Sequence, residues 1–115
     1  MPRRDWRFRI QDILDAIAAV SAYTADMDFE QFTRDRRTVD AVVRNLILIG
    51  EAARHIPDEI GAKCSTLPWS EMRAMRNLVV HQYFGVSDAI VWETVKQDLP
   101  SIVQPLLGLL MPENH

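Results

Sequence analysis

Apolar residues recur at alternating intervals of three and four along three long stretches of the chain, the spacing that lays them on one side of an α-helix. In the first stretch Ile10, Ile13, Ile17 and Val20 predict a helix from about Asp5 to Tyr23 with a single buried stripe. In the second, Val39, Val42, Leu46, Ile49, Ala53 and Ile56 predict a helix over 38–56, and Val43, Ile47 and Leu48 widen its apolar zone well beyond one stripe. A helix apolar over so much of its circumference belongs at the centre of the fold. In the third, Val91, Val95, Leu99, Ile102, Leu106 and Leu109 carry a last helix towards the C-terminus, with Ser87 and Asp88 as caps and Pro100 and Pro105 as points where it kinks or divides.

The intervening stretches are punctuated rather than periodic. Residues 24–37 are polar, with one short turn expected after Asp28 that folds Phe29 and Phe32 back on the core. Pro57 stops the central helix, and residues 58–64 fit a short one. Pro68 suits the first turn of another helix, with Ser65 or Thr66 as its cap and Glu71 near its positive end; this helix should run to about Gly85. No stretch alternates with period two. The pattern therefore predicts an all-α bundle of four main helices plus one or two short ones, forming a single domain over 1–115.

Three polar or small residues break the apolar pattern of the central helix. Gly50 costs roughly 1 kcal/mol of helix propensity against alanine, so its presence predicts a neighbouring helix too close for a side chain. Asn45 and Glu51 are expected to be buried and in need of partners.

Composition narrows the function more than the fold. With 48% hydrophobic and 25% charged residues in 115, the chain can bury a core without disulfides or metal. A net charge of −3 does not provide the broad basic footprint of a nucleic-acid coat, so any RNA contact must be local. Arg3, Arg4, Arg7 and Arg9 are read first as solvated charges and second as contacts to phosphate or a partner. Cys64 is the sole cysteine, which fits a reducing compartment and excludes a cysteine-rich zinc site. The arginine-rich start does not read as a secretory signal and no apolar run approaches a membrane span, so the expected location is the cytoplasm.

Chemistry-bearing residues concentrate in Arg76-Asn77-Leu78-Val79-Val80-His81-Gln82-Tyr83. At about 100° per residue, Tyr83 falls about 20° from Arg76 on a helical wheel, Asn77 and His81 form a second stripe, and Arg73 lies between the two. Met72, Met75, Leu78 and Val79 occupy the opposite, anchoring side. Val80 and Phe84 sit inside the polar arc, where a solvated face rarely puts them, so the arc is expected to meet another protein chain. An arginine fork fits two phosphate oxygens, and an imidazole can take a proton and return it to a leaving group. Arg76 and His81, about 7.5 Å apart along a helix axis, could thus promote attack by a ribose 2′-OH on its own phosphate. Asn77 would orient the imidazole or bind a phosphate oxygen. The scheme demands no metal or cofactor, and DNA, lacking the 2′-OH, should survive. Bare Arg/His spacing is a weak signal, since a helix histidine is often only hydrogen-bonded and a helix tyrosine is more often packed than reactive.

At these residues the sequence resembles the HEPN superfamily, and within it the HepT-like ribonuclease toxins of bacterial toxin–antitoxin pairs. The superfamily motif is Arg, four to six residues, then His, here Arg76 to His81; the HepT-like form adds a tyrosine two residues on, here Tyr83, and commonly an asparagine after the arginine, here Asn77. Ile49-Gly50-Glu51-Ala52-Ala53, Pro68-Trp69, Val91-Trp92 and Asp98-Leu99-Pro100 also look like the family. The resemblance implies a HEPN-like helical homodimer with a composite, metal-independent ribonuclease site. It also implies an MNT-type nucleotidyltransferase antitoxin as partner, able to transfer AMP from ATP to Tyr83. Two other readings stand beside it: a non-catalytic HEPN module that binds nucleotide, RNA or a partner protein, and a plain dimerisation domain with a fortuitous motif.

Overall fold

The polar residue before each apolar stripe decides where the helices begin. In the computed structural model, which describes residues 5–77 and 88–111, helix α1 spans Trp6–Thr24 and starts at Asp5, whose carboxylate accepts the Arg7 backbone N–H at 2.9 Å. Asp5 also pairs with the Arg7 guanidinium at 3.2 Å, which draws one of the N-terminal arginines into the helix start. The predicted stripe is the buried one: Ile10, Ile13, Ala16, Ile17 and Val20 face inward. Buried Thr24 closes the helix by donating its hydroxyl to the Val20 carbonyl.

The turn expected after Asp28 is helix α2, Phe29–Arg34, opened by a capping box between Asp28 and Gln31. Phe32 is fully buried and Phe29 half-exposed, and both rings lie against Trp92 at centroid distances of 5.0 and 6.2 Å. Helix α3 spans Arg36–Arg54, two residues earlier at each end than its apolar repeat indicates. Asp35 explains the start. Its backbone N–H donates to the last carbonyls of α2 while its carboxylate accepts the Thr38 N–H, so a single residue closes one helix and opens the next. Ile56 follows the helix end through a tight turn and still packs into the core.

Helix α3 is central, as its width of apolar surface indicated: it packs on α1, α2 and the helix after Pro68. Its apolar zone is narrower than expected, however. Val42, Val43, Leu46 and Ile49 are buried, Ile47 is partly so, but Leu48 is 48% exposed.

After Pro57, helix α4 (Asp58–Gly61) passes into a 3₁₀ turn over Ala62–Cys64. Helix α5, Trp69–Ala74, follows and becomes a second 3₁₀ turn at Met75–Asn77. Pro68 stands at the cap position of α5, and neither Ser65 nor Thr66 caps it; the Thr66 hydroxyl lies 3.5 Å from the Cys64 sulfur instead. What fixes α5 is its first side chain. The Trp69 indole N–H is shared between the carbonyls of Gly61 and Cys64, both at 3.1 Å, so the two short elements lock together. Helix α6 (Asp88–Glu93), a wide π turn (Thr94–Asp98) and α7 (Leu99–Leu110) continue one another, burying Val91, Val95, Leu99, Ile102 and Leu106. The division predicted from the prolines falls just before Pro100, which lacks an N–H and whose ring crowds the carbonyl four residues back; the widened turn relieves both. Pro105 lies inside α7 without ending it. Asp88 pairs with Arg36 at 2.8 Å, and Lys96 donates to the Thr24 carbonyl at 3.1 Å, tying this C-terminal run to the ends of α3 and α1. The fold is all-α, with no strand among the described residues and no described helix long and apolar enough to cross a membrane.

Candidate functional site

Gly50 governs how the arginine-bearing helix sits. A Cβ at this position would lie 2.5 Å from the Arg76 backbone nitrogen and 3.1 Å from both the Arg76 Cα and the Arg73 carbonyl oxygen. All three atoms are backbone, so none can swing aside. The close neighbour predicted from this glycine is therefore the arginine-bearing helix itself, touching α3 at residues 73–76. Met72, fully buried, anchors that helix from the core side, and Met75 is partly buried against the core. Burial of such a methionine stabilises by about 1.5–3 kcal/mol. Together the glycine contact and Met72 fix how deeply the helix seats.

Turned away from that seat, Arg76 presents its guanidinium to solvent with 41% of the side chain exposed. Its Nε lies 3.4 Å from Oε1 of Glu51, and the same oxygen lies 3.3 Å from Nη1 of Arg54, one turn further along α3. Glu51 is thus not the buried acid expected from its place in an apolar helix. Its side chain is 43% exposed and sits between two arginines. Asn45, partly buried, finds its partner within its own helix, donating to the Ala41 carbonyl at 2.9 Å.

Of the residues singled out from the sequence, Arg73, Arg76 and Asn77 are brought to one exposed end of α5. For these residues the helical wheel is corrected: Met75–Asn77 is a 3₁₀ turn, which advances about 120° per residue, so the α-helical angles do not hold over Met75–Asn77. His81 and Tyr83 lie outside the described residues, as do Leu78, Val79, Val80, Phe84 and the expected helix end at Gly85. Glu51 was expected to need a partner and has two, whereas Arg54 was not singled out from the sequence. The signal was nonetheless present: an acid directly after a glycine that admits a helix must stand beside whatever that helix carries, and Arg54 follows three residues later on the same face.

Electrostatically, the guanidinium groups of Arg54 and Arg76 flank one carboxylate, that of Glu51. Exposed ion pairs of this kind contribute about 0–1 kcal/mol to folding, so an incoming phosphate can compete for the guanidinium. Among the described residues no group of three His, Cys, Asp or Glu side chains gathers as a metal-binding cluster.

The chain is thus an all-α bundle that presses an arginine-bearing helix onto a glycine of its central helix and leaves the guanidinium outside. Comparison with known proteins gives it a place. The profile of the ribonuclease HepT-like family matches residues 13–106, and the chain belongs to that family. It is 39% identical over 100 residues to a protein of Thermococcus cleftensis named "Probable ribonuclease HepT", covering 87% of this chain and 91% of that one. A protein of Methanocaldococcus jannaschii carrying the provisional description of RNase is 41% identical over 102 residues, covering 89% and 88% respectively. A second from the same organism, described likewise, is 37% identical over 102 residues, covering 89% and 94%. No solved structure matches the chain.

Proposed function

We propose that this protein is a metal-independent endoribonuclease in which Arg76 and His81 act on one RNA phosphodiester. The observation that carries the reading is the arginine itself: its backbone is seated against Gly50 and its guanidinium is exposed, in a chain whose relatives are named as ribonucleases. His81 takes the proton of a ribose 2′-OH as the 2′ oxygen attacks phosphorus. The bond to the 5′ oxygen breaks, and an imidazolium returns a proton to that leaving group. Arg76 offers its planar fork to the phosphate oxygens, where charge rises as phosphorus becomes five-coordinate. The products are a 2′,3′-cyclic phosphate and a 5′-hydroxyl. Asn77 orients the imidazole or a phosphate oxygen, and Arg73 adds positive charge beside the path of the strand.

The site is completed by a second copy of the chain, the two functional helices meeting so that each contributes its arginine and histidine. In the cell the enzyme acts as the toxin of a pair, held in check by an MNT-type nucleotidyltransferase antitoxin that transfers AMP to Tyr83. A bulky anion there would stand in the way of RNA and repel it. The test is cleavage of RNA in EDTA by wild type, Arg76→Ala and His81→Ala. Cutting by wild type alone, with all three proteins folded, supports the reading; equal cutting by all three, or none by wild type, removes it.

A further inference from the structure

We infer that Glu51 is a positioning residue for Arg76, holding the guanidinium so that its outer edge meets the RNA phosphate. The inference rests on the proposed cleavage reading and adds to it a residue outside the Arg/His motif. Three observations converge on it. The carboxylate lies 3.4 Å from Arg76 Nε, and 41% of the arginine side chain stays exposed, where phosphate oxygens can reach its fork. The same carboxylate oxygen lies 3.3 Å from Arg54 Nη1, so the acid is steadied from its own helix rather than left to follow the arginine. Gly50, the preceding residue, fixes the distance between the two backbones, with room at Arg76 for no Cβ. Glycine thus sets how near the arginine stands and glutamate sets which way it points.

Exposure argues that this pair serves something other than folding. Side chains of 41%, 43% and 47% exposure form the Arg76–Glu51–Arg54 chain, and pairs so wet add little stability. A long side chain on a 3₁₀ turn has many rotamers, and restricting them before substrate arrives removes an ordering cost from the reaction. The contact also neutralises part of the cation at rest, and at this exposure a phosphate can compete with it.

The test uses the full chain with Glu51→Ala, Glu51→Gln, Arg76→Ala and wild type. Two readouts are followed: the side-chain Nε–H resonance of Arg76 by NMR, and single-turnover cleavage of total cellular RNA with enzyme in excess. In wild type the Arg76 Nε–H is expected as a resolved, slowly exchanging signal. Glu51→Ala should move it to the position of free arginine and lower the maximal cleavage rate about tenfold, with half-saturation changed less than about threefold. Glu51→Gln, which keeps an acceptor oxygen, should recover most of that rate. A wild-type Arg76 signal already like free arginine overturns the inference, as does a Glu51→Ala enzyme that cuts at the wild-type rate. A fall in half-saturation affinity with no change in maximal rate also overturns it, assigning Glu51 to binding. If wild type shows the held signal yet cuts no RNA, the cleavage reading fails and takes this inference with it, a result distinct from the others.

Discussion

Replacing Gly50 with alanine adds one methyl group where α3 and α5 already touch, and the outcome can be worked from two opposed effects. Alanine is the better helix former by about 1 kcal/mol, so an unobstructed site would gain stability. At Gly50 the new Cβ falls 2.5 Å from the Arg76 nitrogen, whereas ordinary contact begins at 3.4 Å, so the two helices must separate by about 1 Å. Over-packing that only backbone movement can relieve costs about 1–3 kcal/mol. The clash outweighs the propensity gain by up to about 2 kcal/mol, a fall in melting temperature of several degrees for a domain of this size. Because the atom displaced belongs to Arg76, RNA cleavage should fall further than stability does, by up to about a hundredfold for a shift of this size. Gly108→Ala supplies the control. Among the described residues, nothing beyond its own stretch of helix lies within 4 Å of its Cβ, so that variant should melt slightly higher than wild type and cut RNA normally. Thermal melts at one fixed protein concentration and initial cleavage rates decide the matter. If Gly50→Ala melts above wild type, as Gly108→Ala should, and cuts at the normal rate, the close seat at Arg76 is wrong.

Other expectations follow from the same contacts. Trp69→Phe keeps most of the ring but removes the N–H shared by the Gly61 and Cys64 carbonyls, and should cost about 1–2 kcal/mol in chemical denaturation; no loss would mean that the lock does not hold α5 in place. Met72→Ala empties a fully buried site on the core side of α5 and should cost about 2–5 kcal/mol in the same assay. The Thr38 N–H and hydroxyl beside Asp35 hold its carboxyl below the ordinary 3.8. A depressed folded pKa contributes stability that is present above the unfolded value and lost as pH falls through the folded one. Stability should therefore drop on acidification below about pH 4, and Asp35→Asn should flatten that part of the curve; an unchanged acid limb would remove Asp35 from the account.

Much of the fold was legible because the helices bury stripes of constant period: Ile10 to Val20, Val39 to Ala53 and Val91 to Leu106 are where their spacing put them. Gly50 was legible for a different reason, since only a close approach justifies its cost in mid-helix. What escaped depended on tertiary detail. Leu48 continues the apolar pattern of α3, yet nothing among the described residues covers it enough to bury it. Glu51 looked buried because its neighbours Ile49, Ala52 and Ala53 are, but its Cβ leaves the helix towards Arg76 and water. The change from α to 3₁₀ at Met75 could not be read from spacing, because Met75-Arg76-Asn77 fits either helix. For the candidate site, the motif gave Arg76 and the backbone contact gave its setting, while His81 and Tyr83 rest on the motif alone.

The mechanism stands most directly on the identity of the nucleophile. An RNA oligonucleotide containing the cut site should be cleaved in EDTA to fragments bearing a 2′,3′-cyclic phosphate and a 5′-hydroxyl, identified by mass. The same oligonucleotide with a single 2′-deoxy sugar at that position should resist cutting. Cleavage of the deoxy-substituted strand at the same rate, or fragments ending in a 3′-hydroxyl, would show that water rather than the ribose attacks and would contradict the roles given to Arg76 and His81.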